Sequence, residues 1–314
     1  MWKFLGSTPF YLSYPIAQNA LFTVQPHGIE GFKLSYVQLF VTLLINPTTL
    51  KMKRIILLLA VCVISTGHEL FLKTGSHFLK SHSSAELYLF NGTFDTSENI
   101  ITRDRIIAAQ IIGPGFKFLP AQEDYYDKDK ATYLRFKTGD AGTYVAGVST
   151  LPRVIELSAN DFKGYLQHEG LTDVIAEREQ KGLSGNPAKE RYSKHVKALL
   201  QVTGKRTSHF NTRLGYPIEF IPKANPYDLS VGDALTLTLL MDGKTVTNQV
   251  VHYSYRPASG TPTERSGRTN SKGEITLLLD HPGQWYAATI HMAKSDEENV
   301  DYVSNWATLT FEVR

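Results

Sequence analysis

The feature that most restricts this chain is the rhythm of its C-terminal third. Between Pro217 and Arg314 short apolar-rich runs recur, each bounded by Gly, Pro or Asp. They are Ile218–Ile221, Ala234–Met241 closing at Asp242-Gly243, Val246–Tyr255, Glu274–Leu279, Trp285–Met292 and Trp306–Val313. Runs this short, with turn residues at such regular spacing, read as strands of an antiparallel β-sandwich. The chain holds one cysteine, Cys62. No cysteine pair is present for a true immunoglobulin disulfide, so only the immunoglobulin-like architecture is expected over 215–314.

Upstream, residues from His68 to about Ser158 also read mostly as strand. Ala85–Phe90 ends at Asn91-Gly92, a turn dipeptide. Thr132–Phe136 alternates and stops near Gly139-Asp140, and Gly142–Val148 reads as its partner strand. From residue 160 the period changes. Phe162, Tyr165, Leu166, Val174 and Ile175 recur at helical spacing, with Asp161 as a cap and Gly170 as a break. After Gly185-Asn186-Pro187 a second helix is expected, carrying Tyr192, Val196, Leu199 and Leu200 on one side. The expected fold is therefore mainly β: an N-terminal β-rich region (68–159), a helical insertion (160–214) and a C-terminal immunoglobulin-like β-sandwich (215–314).

The first residues are of another kind. Lys53 and Arg54 precede ten apolar residues, Ile55–Ile64, and Ser65 and Gly67 supply small residues for a cleavage site. That pattern is a secretory signal peptide over 52–67, and its apolar run is short for a bilayer span. Residues 1–51 then read as an upstream extension, with Met52 the true start. A lipoprotein anchored at Cys62 would want a small residue before it, and Val61 is branched. The mature chain, beginning at His68, is expected in the periplasm or secreted, and no part of it is expected to span a membrane.

The leader also accounts for the charge. The whole chain carries a formal +3 from 33 basic and 30 acidic residues. Residues 1–67 hold Lys3, Lys33, Lys51, Lys53 and Arg54 but only Glu30 among acids, which leaves 28 basic and 29 acidic residues in 68–314. A nucleic-acid surface needs a basic excess. None remains.

Enzyme signatures are missing from the sequence: it has no Gly-rich phosphate loop, G-x-S-x-G elbow or H-E-x-x-H pair. A non-catalytic binding protein is expected. His68 stands apart from the other histidines of the mature chain. With cleavage after Gly67, its α-amino group (pKa about 8) and its ring nitrogen chelate one ion together. Nitrogen donors of this kind suit nickel, cobalt, copper or zinc; without a metal, His68 is simply a polar terminus. His291 ends the run Trp285–Ile290 and precedes Asp296, Glu297, Glu298 and Asp301, so it can be a ligand with a carboxylate such as Asp301 beside it. His77 and His82 flank a turn near the new terminus, and His77 is a weaker candidate. His168, His195, His209, His252 and His281 carry no argued role. Trp285, Tyr286, Tyr302 and Trp306 are expected in the sandwich core, with a sugar-binding platform as the alternative.

His68-Glu69-Leu70-Phe71-Leu72 directly after a signal peptide resembles the opening of a periplasmic domain-of-unknown-function family grouped with NikM-like nickel-uptake proteins. Further blocks resemble the same family: Asp161-Phe162…Tyr165-Leu166…Glu169-Gly170-Leu171 with Glu190-Arg191-Tyr192-Ser193-Lys194; Gly215-Tyr216-Pro217-Ile218-Glu219 with Asp242-Gly243-Lys244; and Pro282-Gly283-Gln284-Trp285, Ile290-His291-Met292 and Asp301-Tyr302…Trp306. The resemblance implies a periplasmic, non-catalytic protein linked to nickel or cobalt uptake, with His68 and His291 as ligands and a membrane transport component as partner. Some transport-linked relatives carry a carboxy-terminal membrane helix where this chain reads as a strand. The alternative is a structural or carbohydrate-contacting β-sandwich module without bound metal.

Overall fold

The computed structural model describes residues 69–257 and 263–314. The upstream extension, the signal peptide, Cys62 and His68 lie outside the described residues. The chain begins with β1 (Glu69–Lys73), β2 (Phe78–Leu79), β3 (Ser84–Gly92), β4 (Ser97–Asn99) and β5 (Ile106–Gly113). It continues through β6 (Phe116–Phe118), β7 (Tyr125–Lys128), β8 (Ala131–Lys137), β9 (Gly142–Thr150) and β10 (Arg153–Leu157). Two helices follow, α1 (Ala159–His168) and α2 (Thr172–Gln180), and then the long strand β11 (Ala188–Val202). The rest comprises β12 (Ile218–Pro222), β13 (Ala234–Met241), β14 (Lys244–Thr245), β15 (Val250–Tyr255), β16 (Arg265–Arg268), β17 (Glu274–Leu278), β18 (Gly283–Lys294) and β19 (Tyr302–Val313).

These strands make three sheets. The central one has ten strands in the order β16-β15-β18-β19-β11-β9-β5-β6, with β10 and β2 also paired to β11. A five-stranded sheet, β1-β3-β8-β7 with β4 on β3, covers one face, and a four-stranded sheet, β12-β13-β14 with β17 on β13, covers the other. The outer sheets alternate as one-sided strands must. Ala85, Leu87 and Leu89 of β3 point inward, and so do Leu235, Leu237 and Leu239 of β13. The fold is mainly β, and the four-stranded sheet packed on the β15, β18 and β19 part of the central sheet forms the immunoglobulin-like β-sandwich expected over 215–314.

Two expectations fail on the central strands. Residues 188–202 form a strand, not a second helix. Helix propensities differ by at most about 0.7 kcal/mol per ordinary residue, whereas burying one Val or Leu contributes roughly 1.5–3 kcal/mol. β11 buries Val196, Ala198, Leu200 and Val202 on one face and Leu199 on the other, so tertiary burial decides. Gly142–Val148 likewise does not pair with Thr132–Phe136. β9 is buried at every position, pairs with β5 and β11, and sits in the middle layer. β8 alternates and stays in the outer sheet.

The helical expectation holds for α1 and α2, which lay Phe162, Tyr165, Leu166 and Val174 on Ile290, Met292, Tyr302 and Trp306. The cap of α1 is Ser158 rather than Asp161: its Oγ accepts from Asp161 N at 3.2 Å, and Asp161 sits in the first turn. Gly170 divides the helices, with a φ of +66° that its missing side chain permits. Because β9, β11, β15, β16, β18 and β19 share one sheet, the three sequence regions join in one compact unit.

On its other face β11 carries a buried charge. Lys197 Nζ donates to Glu219 Oε2 at 2.9 Å and to the carbonyls of Phe220 and Thr212 at 3.0 and 3.2 Å. Lys197→Met would leave Glu219 buried without a counter-charge, with only the Leu214 and Gly215 N–H groups donating to it, at a cost of about 3–5 kcal/mol, which urea unfolding followed by circular dichroism measures. His195 of β11 is also buried, between Ser149 Oγ (2.7 Å) and Asn305 Oδ1 (3.0 Å), and burial lowers its pKa below the ordinary 6.5. The unfolded chain therefore binds a proton in a window just below that value that the folded chain refuses, and His195 removes stability as pH falls. The denaturation midpoint should drop less steeply from about pH 7 to pH 5 in His195→Gln than in the parent chain.

Candidate functional site

Where α1, β1, β15 and β18 meet, two imidazoles, three carboxylates and an aromatic wall enclose a cavity of about 220 Å³. Local structure places each group. Glu69 and Phe71 lie on β1, and Phe94 follows in the turn after β3. His168 and Glu169 are the last turn and C-cap of α1, held there by the left-handed Gly170. His252 lies on β15 directly opposite Ala288 of β18, whose single methyl leaves the space open. Glu264 precedes β16. Phe71, Phe94 and Tyr286 pack against one another with centroids 4.8–5.2 Å apart and form the apolar side.

Each imidazole is held by its own carboxylate. His168 Nδ1 lies 2.9 Å from Glu169 Oε1, and His252 Nδ1 lies 3.1 Å from Glu264 Oε1. Tyr286 donates its hydroxyl to the second oxygen of Glu264 at 2.9 Å. The hydrogen bonds to Glu169 and Glu264 raise the pKa of His168 and His252, and the bond to His252 lowers that of Glu264. The rings stand parallel within 10° at a centroid separation of 6.5 Å. With Nδ1 engaged by a carboxylate, Nε2 is the nitrogen left for a ligand, as in carboxylate–histidine–metal arrangements. His252 Nε2 makes only a long 3.4 Å contact with the Glu169 carbonyl.

Glu69 completes the set. Its Oε2 is sealed from solvent and has no hydrogen-bond partner. Burial raises its pKa well above the usual carboxyl range, the Glu169 charge adds to the rise, and Lys194 opposes it. No Lys or Arg lines the cavity among the described residues. Glu169 and Glu264 each face an imidazole cation in their protonated pairs, and Glu69 is the carboxyl group that has no such partner among the lining residues. Two imidazoles on one ion, with metal–nitrogen bonds of about 2.1 Å, place their centroids at most about 6.4 Å apart. At 6.5 Å the pair stands just beyond that reach, so one ion takes both rings only if a side chain shifts, and among the described residues no three His, Cys, Asp or Glu side chains are already gathered at ligating distance.

The residues singled out by sequence are not brought together here. His68 lies outside the described residues; Glu69, next in the chain, lines the cavity. His77 is fully buried elsewhere, its N–H donating to Glu312 Oε2 at 2.8 Å and its Nε2 3.4 Å from Thr310 Oγ1. His291 projects from the opposite face of β18 to Tyr286 and Ala288 and meets Gln249 Oε1 at 3.1 Å. Asp301 accepts from the Lys189 N–H at 2.7 Å. Sequence reasoning passed over His168 and His252. The adjacency of His168, Glu169 and Gly170 at a helix end was a usable signal. His252 and Glu264 meet only across a hairpin and offered none.

Fold and cavity define a three-layered β protein with a pocket lined by imidazoles, carboxyl groups and aromatic rings. A family model described as Domain of unknown function (DUF4198) matches residues 65–293, and the chain belongs to that family. Solved structures with similarity include the D0-D1 domain of Intimin, 9% identical over 77% of this chain and 97% of that one, with a TM-score of 0.19. A tetra-tandem repeat from the extending region of a large adhesion protein is 12% identical over 78% of this chain and 49% of that one, also with a TM-score of 0.19. Likeness at that level carries no weight for function. No curated protein matches the sequence.

Replacing Glu264 with Gln should move the His252 titration downward, followed through its ring-proton NMR signals, and that of His168 in the same direction by less, because His168 feels only the Glu264 charge and not its hydrogen bond. Equal movement of both would mean that the two rings titrate as one unit.

Proposed function

We propose that this chain is an exported, non-catalytic protein that binds a transition-metal ion such as nickel or cobalt and serves its uptake. The observation that carries the reading is the pair of carboxylate-held imidazoles facing one cavity with Glu69, whose Oε2 has no hydrogen-bond partner. Nitrogen donors with one carboxylate suit these ions better than magnesium or calcium, which prefer all-oxygen sites. His68 is the proposed additional ligand, through its amine and ring, if cleavage falls after Gly67. The uptake role and a membrane transport component as partner are carried over from the resemblance of the sequence blocks to NikM-like proteins alone. Among the described residues no helix is long and apolar enough to cross a membrane.

Mature protein beginning at His68 should bind one nickel or cobalt ion per chain by calorimetry and elemental analysis. Replacing His168 and His252 together by Ala should abolish binding, and one residue added before His68 should weaken it strongly. Binding that survives the double replacement unchanged would sink the cavity reading.

A second reading has one observation in its favour. Phe90, Tyr88, Tyr133 and Tyr126 form a row on the outward face of the five-stranded sheet, with successive centroids 5.0, 5.4 and 4.9 Å apart. Arg135 lies over Tyr126 at 4.2 Å. Aromatic rows with polar flanks suit carbohydrate contact; retention on polysaccharide by metal-free protein would favour that reading.

A further inference from the structure

We infer that the outward face of the five-stranded sheet holds a single uncharged oligosaccharide chain, which stacks along the file of aromatic rings and ends in the cleft beside it. This rests on the carbohydrate reading above and adds the form of the ligand and the course of its chain. It requires no ion in the cavity of His168 and His252.

Strand register builds the face. β3 and β8 set Ser84 opposite Lys137, Glu86 opposite Arg135 and Tyr88 opposite Tyr133, and β7 sets Tyr126 opposite Tyr133. Alternate residues of a strand share a face, so these side chains point outward while Ala85, Leu87, Leu134 and Phe136 enter the core. Rings occupy one end of the face and polar pairs the other. Where the two ends meet, Tyr88, Glu86 and Arg135 also line a cleft of about 840 Å³. Small-molecule sites span roughly 300–1,000 Å³.

Area argues against a protein partner. An aromatic side chain offers about 150–250 Å², and Phe90, Tyr88, Tyr133 and Tyr126 are already half-buried. The file therefore keeps roughly 300–500 Å², whereas a stable protein interface takes about 800 Å² from each partner. A file one ring wide suits one polymer chain whose units each lay a flat C–H face on a ring.

Charge and hydrogen bonding name the polymer. The cleft carries two carboxylates, Glu86 and Asp124, and two cations, Arg135 and Lys137. It has no net charge with which to hold an acidic or a basic chain. Tyr126 donates to Glu86 Oε1 at 2.9 Å, and Arg135 Nε lies 3.7 Å from the same oxygen. An accepting carboxylate beside a donating guanidinium matches neighbouring hydroxyls, each of which both donates and accepts. Neighbouring hydroxyls on a chain of flat, uncharged units describe a neutral glycan.

The test runs mature protein beginning at His68 through affinity gels containing hydroxyethyl cellulose, glucomannan, dextran or polygalacturonate. At least one of the three neutral polymers should retard it, and polygalacturonate should not. Tyr126→Ala and Tyr133→Ala should each weaken the retardation at least about tenfold (1.4 kcal/mol), and Tyr133→Phe, which keeps the ring and the packing, should retain most of it. Retardation by polygalacturonate alone, or retardation that neither alanine replacement changes, overturns this inference and leaves the carbohydrate reading standing. A dimer in sedimentation that Tyr126→Ala dissolves also overturns it, because the face then belongs to a second copy. No retardation in any gel removes both and leaves the metal-binding reading as it was.

Discussion

Everything in this molecule depends on β11 being buried on both faces. A strand with one wet face can sit in an outer sheet, as β3 and β13 do, and its alternation makes it visible. β11 has no wet face: Val196, Ala198, Leu200 and Val202 enter one core and Leu199 enters the other. It pairs antiparallel with β9 and parallel with β19, so it joins the beginning of the described chain to its end. The N-terminal β-rich region and the C-terminal β-sandwich thereby become two faces of one sheet. Its charged residues have to be solved inside the protein. Lys197 meets Glu219, and His195 stays neutral between Ser149 and Asn305.

The cavity follows from the same layering. β1 of the outer sheet crosses over β19 and β11, fixed by the hydroxyls of Thr308 and Thr310, which donate to the carbonyls of Leu70 and Leu72 at 2.8 and 2.6 Å. That crossing carries Glu69 and Phe71 to the central sheet beside the end of α1. Sheet and helix cannot close completely there, because Ala288 is small and α1 stops at Gly170. The gap is filled with carboxylates and imidazoles instead of apolar side chains. Burying Glu69 with a bare oxygen costs free energy that ordinary packing would avoid. Costs of this kind concentrate where a ligand repays them.

Much of the fold could be read from the sequence, and the unreadable parts share one cause. Strands with one buried face, such as Ala85–Phe90 and Ala234–Met241, announce themselves by alternation and by Asn-Gly or Asp-Gly turns. Strands buried on both faces do not. Lys-Glu-Arg-Tyr-Ser-Lys-His-Val-Lys-Ala-Leu-Leu has no period of two, so β11 passed for a helix and β9 was given the wrong partner. The short β16 was overlooked because Arg265–Arg268 has no apolar residue. The site was less legible still. His291 has acidic neighbours in the chain but projects away from the cavity. His252 has none nearby in the chain and gains Glu264 and Glu169 only through folding. The single local clue was His168 beside Glu169 and Gly170.

The central claim is that His168 and His252 bind one ion in this cavity. X-ray absorption at the nickel edge of nickel-loaded mature protein tests it most directly. The account predicts nitrogen and oxygen neighbours, with imidazole outer-shell scattering that falls by one ring when either histidine alone is replaced. A spectrum without imidazole, or one that neither single replacement changes, would contradict it.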